Sequence, residues 1–213
     1  MKTDELILQL AKSALPVTPL PSPFVRLLRW LALAAALAAV AVLAIGPRAD
    51  LAVAVTRPTF VVSLLALVVA TLSSAAAAFV LSVPGAGRSS LQRALAVAAT
   101  LAWPLVWFLV LANAGAGRGR LFHAGCALEI AILSAVSGGA LIAMLRRAAP
   151  LQPAWTGGIA ATAAVTVASA ATQVICPIDT APHQLVGHIL IASIVGSAGF
   201  LVGWPQLRRR TRI

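Results

Sequence analysis

Acidic residues are scarce in this 213-residue chain: five Asp and Glu stand against sixteen Lys and Arg, giving a net charge of +11. Charge of either sign is scarce too, at 10% of residues, where soluble domains carry about a quarter. That shortage excludes a soluble globular enzyme and a disordered basic tail, both of which need charge to remain hydrated. Tyrosine is absent and there are only two cysteines, so a disulfide-dense secreted scaffold is excluded as well. No His-Glu-x-x-His, Cys-x-x-Cys or Gly-x-Ser-x-Gly occurs. The stretches Gly85-Ala86-Gly87-Arg88 and Gly115-Ala116-Gly117-Arg118 lack dinucleotide-binding and Walker spacing and read as loops. No catalytic chemistry is in view, and the expectation is a protein that is not an enzyme.

What the chain has instead is apolar sequence. Hydrophobic residues make up 61% and the mean hydropathy is +0.98. The basic residues sit in short clusters between long apolar runs, a membrane pattern rather than a nucleic-acid-binding one. A bilayer core needs roughly 20 apolar residues per helix. Six segments qualify: about Leu27–Ile45, a stretch centred on Val61–Val80, Arg93 to Ala114, Ala124–Leu145, Trp155–Ile175 and Leu185–Trp204. The expected fold is an all-α, six-helix transmembrane bundle occupying residues 24–205, preceded by a cytoplasmic segment 1–23 and followed by a basic tail 206–213.

Basic residues favour the cytoplasmic side. The N-terminal segment, the second and fourth connections and the tail hold twelve of the sixteen, which predicts cytoplasmic N- and C-termini. Trp30, Trp155 and Trp204 fall near predicted span ends and read as interfacial anchors, whereas Trp103 and Trp107 fall deeper. Small residues, as in Gly199-x-x-x-Gly203 and Ser134/Ser137/Gly138/Gly139, favour close helix approach. Packing within the chain is the expectation there, with a homodimer face as the alternative.

Two places gather polar residues. The first is the non-cytoplasmic side of the second half, where both cysteines and all three histidines fall. His123, Cys126 and Glu129 open the fourth span at helical spacing, and Cys176, Asp179, His183 and His188 occupy the loop and start of the sixth. Three readings stay open: a Cys126–Cys176 disulfide or redox pair, a soft or borderline metal site drawn from these seven residues, or interfacial side chains of no special role. Glu129 and Asp179 also fit as interfacial carboxylates near Arg118 or Arg120.

The second place is the N-terminus. Thr3 can cap a helix with Asp4 and Glu5 in its first turn and Lys12 near its end, matching the helix macrodipole. Leu6, Ile7, Leu10, Ala11, Ala14 and Leu15 form one face, with Glu5, Gln9, Lys12 and Ser13 opposite. Pro16 stops the helix, and Pro16, Pro19, Pro21 and Pro23 make a stiff tether. So short a helix is marginal alone and needs lipid, the bundle or a partner groove to cover it.

The order of these features resembles the NrsF-type membrane anti-sigma factors. The resemblance rests on Thr3-Asp4-Glu5-Leu6-Ile7, Leu10-Ala11 and Pro16-Val17-x-Pro19-Leu20, then six spans, Cys126, and Cys176-Pro177-x-Asp179 followed by His183 and His188. One departure is Gly187, where the family has an aromatic residue before the histidine. The resemblance implies a bacterial inner-membrane protein that holds an extracytoplasmic-function sigma factor through Thr3, Asp4, Leu6, Ile7, Leu10 and Ala11. It implies release of that factor on oxidative or heavy-metal stress sensed by Cys126 and Cys176, with no resident cofactor beyond transient zinc or heavy-metal binding, and no direct nucleic-acid contact. The alternative from another class is a small transporter with Glu129 and the histidines on its pathway.

Overall fold

A computed structural model describes residues 3–13, 19–83 and 121–208, with isolated helical positions between 94 and 112. The described residues are all-helical. The first helix, α1 (Thr3–Ser13), places Asp4 and Glu5 in its first turn and Lys12 in its last, and buries none of its residues. Then come α2 (Pro23–Ile45), the single turn α3 (Leu51–Ala54), α4 (Pro58–Leu81), α5 (Ala124–Arg146), α6 (Pro153–Ile175) and α7 (Ala181–Leu207). Five of these, α2, α4, α5, α6 and α7, are long and apolar enough to cross a membrane. The third predicted span falls mostly outside the described residues, though Ala94, Ala98, Leu105, Phe108, Leu109 and Ala112 are helical. Trp103, Trp107, Pro16, the two glycine-containing loops, Arg118, Arg120 and residues 209–213 also lie outside them.

Proline at the first helical turn starts α2, α4 and α6, where its missing N–H costs nothing and its fixed φ suits the helix. The Ser22 hydroxyl accepts from the Val25 N–H and completes the cap of α2. At the far end of α2 the chain turns through Gly46 at φ +95°, a conformation open to glycine, and the Gly46 N–H donates to the Val42 carbonyl.

The helix α6 is the centre of the bundle, packed by α4, α5 and α7 and touched by α2. Its most apolar stretch is 72% buried, against 11–44% for the other four. Alanine makes this possible. Ala160, Ala163, Ala164 and Ala168 bring neighbouring backbones close, and Gly138 of α5 faces Ala164 so tightly that an added Cβ would lie 3.1 Å from the alanine methyl. Gly199 and Gly203 of α7 likewise lie against Ala161, Gly157 and Ile142, so these small-residue motifs serve packing within the chain.

One apolar cluster joins Trp30, Phe79, Leu141, Leu145, Ile159 and Leu207 near the end where α2 begins; a second joins Leu67, Ile130, Val165 and Ala192 further along. Trp30 corrects the sequence reading. It is fully buried and its Nε1–H donates to the Ser137 carbonyl of α5 at 2.9 Å, because a partner for the indole N–H is available inside the bundle. Trp155, at 60% exposure, stays on the surface.

A thiol–imidazole cluster at one end of the bundle

At the end opposite the start of α2, the first turn of α5, the end of α6 and the start of α7 converge. Cys126 sits on the inner face of α5, and Cys176 is the residue at which the α6 helix gives way to extended backbone. The chain then runs through Pro177 to α7, whose first turns carry His183 and His188. The Cys126 and Cys176 sulfurs and one nitrogen each of His183 and His188 lie within 4.8 Å of one another, and all four residues are buried. Fifty residues separate the cysteines in sequence, and the bundle brings them together as free thiols.

The histidines owe their convergence to a π-helical stretch, Gln184–Leu190, inside α7. On a regular α-helix, residues five apart point about 140° away from each other. The i→i+5 pattern of a π-helix returns them to one side. Their rings stand edge to face with centroids 5.2 Å apart. Gly187 lies beneath them: a Cβ there would come within 2.9 Å of the His183 ring, so the position before His188 is kept small by its neighbour.

The imidazole nitrogens are short of partners for buried groups. Cys176 Sγ lies 3.4 Å from His183 Nε2, while His183 Nδ1 and both ring nitrogens of His188 have no hydrogen bond. Buried polar atoms are ordinarily satisfied, and those left over call for an explanation such as an ion. The neighbouring Cys126 thiol first, and then His188, hold the Cys176 thiol below its ordinary range against the opposing effect of burial. Two thiols and two imidazoles are a donor set suited to zinc or a softer divalent cation.

The other three candidates take other places. His123 precedes α5 in extended backbone, exposed, with Nδ1 3.6 Å from Cys126 Sγ. Glu129, one turn beyond Cys126, is half-buried with Oε2 unpartnered, and is not one of the four clustered residues. Asp179 is engaged by arginine: Arg48 Nη1 and Nη2 donate to its two oxygens at 2.8 and 2.7 Å, and Arg57 Nη1 lies at 3.3 Å. Sequence reasoning missed Arg48, which it counted only as a loop charge. The side chain is 1% exposed, and pairing with Asp179, then Asp50, raises its pKa, while Arg48 in turn lowers that of Asp50.

The described residues thus form an all-helical bundle with five helices long and apolar enough to cross a membrane, an amphipathic helix at one terminus and a buried thiol–imidazole cluster at one end. Residues 10–208 match the model of the NrsF family, described as negative regulators of sigma F, and the chain belongs to that family. It is 30% identical, over 98% of its length and all of the relative's, to the probable anti-sigma-F factor NrsF of Azospira oryzae. No solved structure matches the fold.

Proposed function

We propose that the chain is a bacterial inner-membrane anti-sigma factor with six spans and both termini in the cytoplasm, holding an extracytoplasmic-function sigma factor through α1. Signal reception falls to Cys126 and Cys176 on the opposite side. Support for the first part is the family membership together with α1, whose Leu6, Ile7 and Leu10 are 40%, 57% and 61% exposed and lie on a face the bundle leaves uncovered. Thr3 and Asp4 start that helix and Ala11 continues its contact face.

The observation that carries the second part is the convergence of Cys126, Cys176, His183 and His188 with unsatisfied ring nitrogens. Such a site answers two kinds of stress. A soft divalent cation would be held by the two sulfurs and the two imidazoles. A peroxide would take two electrons and the two thiol protons, leaving as two waters, or as an alcohol and a water, and joining the sulfurs in a disulfide.

The test is capture of the cognate sigma factor by the full-length protein in detergent micelles, with and without Cd²⁺ or peroxide. Release from the wild-type protein, with retention in Cys126→Ser and Cys176→Ser, supports the reading. Equal release from the cysteine variants removes the thiols from the sensor. Capture that survives deletion of residues 1–15 moves the contact away from α1.

A further inference from the structure

Arg48 lies outside the thiol–imidazole cluster, yet its contacts grip the chain on both sides of Cys176. Its backbone N–H donates to the Val174 carbonyl at 3.0 Å, two residues before the cysteine. Its Nη2 reaches the Pro177 carbonyl at 3.4 Å, one residue after, and the guanidinium holds both oxygens of Asp179. The same side chain is braced from α2's own continuation, with Nε donating to Asp50 at 2.7 Å, and lies 5.5 Å from the ring centre of Phe60 in the first turn of α4. Three residues earlier α2 ends at Ile45.

Through these contacts the 176–179 segment and the end of α2 form one mechanical unit. A 23-residue helix is a rod about 35 Å long, and the other end of this one begins at Pro23, where the N-terminal segment arrives. Nearer that other end, Trp30 ties α2 to Ser137 on α5, the helix that bears Cys126. Each cysteine therefore has its own hold on α2: Cys176 through Arg48, and Cys126 through α5 and Trp30.

We propose that Arg48 is the positioning residue that transmits changes at the cluster to α2, by way of its two-pronged grip on Asp179. This rests on the reading of the cluster as the sensor. The four donor atoms all lie within 4.8 Å of one another, whereas sulfurs held about 2.3 Å from one tetrahedral zinc ion stand about 3.8 Å apart and a disulfide brings them to about 2.05 Å. Drawing the donors onto one ion, or the sulfurs into one bond, moves the Cys176 segment, and Asp179, three residues on, moves with it. A planar guanidinium bound to both carboxylate oxygens carries direction as well as attraction, which a lysine ammonium does not.

The experiment uses the full-length protein in lipid nanodiscs, labelled with fluorotryptophan, with the Trp30 resonance assigned by its loss in Trp30→Phe. Cd²⁺ is the probe, its binding followed by thiolate-to-metal charge-transfer absorption. In the wild-type protein Cd²⁺ binds and the Trp30 resonance shifts. Arg48→Gln, Arg48→Lys and Asp179→Asn should bind Cd²⁺ within about tenfold of wild type while losing the Trp30 shift. Asp179→Asn, which leaves Arg48 with Asp50, keeps the test informative should the arginine variants fail to fold. A Trp30 shift that persists in the variants overturns the coupling. So does a loss of Cd²⁺ affinity well beyond tenfold, which would make Arg48 part of the site's own framework. A wild-type protein that shows no charge-transfer band on Cd²⁺ addition instead overturns the metal reading on which the coupling rests.

Discussion

Replacing Leu6 and Leu10 together by aspartate tests the partner-binding role of α1 most directly, and its size follows from exposure. The two side chains are 40% and 61% exposed, so a groove that covers both removes from water about one whole leucine's worth of surface. Full burial of a leucine is worth about 1.5–3 kcal/mol. Each aspartate adds a desolvation cost of about 1–3 kcal/mol if its carboxylate is forced against an apolar groove. The smallest combined loss, about 4 kcal/mol, already corresponds to roughly a thousandfold weaker binding. The assay is fluorescence anisotropy of a labelled sigma factor titrated with full-length protein in micelles. Leu8→Asp is the matched control: Leu8 is as exposed as Leu10, at 60%, lies about 160° around the helix from each substituted position, and should change affinity by less than about tenfold. Affinity unchanged in the double variant, or lost equally in the Leu8 control, refutes a one-faced contact.

Other outcomes follow from the packing. Cys176→Ser and His188→Ala should each abolish stoichiometric Cd²⁺ retention after equilibrium dialysis, and retention at wild-type levels would break the four-residue site. Trp30→Phe removes the indole donor to Ser137 and should cost about 1 kcal/mol in reversible unfolding, with no change in unfolding midpoint counting against the bond. Gly138→Val pushes into Ala164 and should cost about 1–3 kcal/mol, whereas Gly139→Ala, whose Cβ meets nothing within 4 Å, should be nearly silent; equal effects at the two glycines would contradict the α5–α6 contact.

The spans were legible because hydrophobic run length and proline placement are local signals. The structure extends α2 back to Pro23 and α6 back to Pro153, both first-turn prolines that apolar counting alone passes over. The shared side of the cysteines and histidines was legible for the same reason, since alternation of spans fixes which loop ends face together. Which of the seven candidates meet was not. His183 and His188 are five residues apart, a spacing that argues against a common face until the helix widens into a π-turn, and nothing in Gln184–Leu190 announces that by composition. Asp179 also fitted as an interfacial carboxylate near Arg118 or Arg120, which lie outside the described residues; its pairing with Arg48 and Arg57 arises because the end of α2 and the start of α4 pack beside the end of α6, a tertiary fact. Trp30 misled because a tryptophan near a span end suits a headgroup belt as well as a buried hydrogen bond.

The central position of α6 bears on how the protein comes to be made. Its mean hydropathy, 1.5, is below the 2.0–2.4 of the other four long helices, and its Thr166, Ser169, Thr172 and Gln173 are buried. Thr71 of α4 supplies the interhelical hydroxyl contact to Thr166, and Ser63 of α4 reaches Gln173. In lipid such a segment would be a poor passenger on its own, and its polar side chains find their partners on the neighbouring helix. The ribosome delivers α2, α4 and α5 before it, and α7 closes over it last. By contrast α1 precedes every helix of the bundle in the chain, and none of its residues is buried. Synthesis therefore delivers α1 well before α6 and α7, whose meeting with α5 assembles the thiol–imidazole cluster.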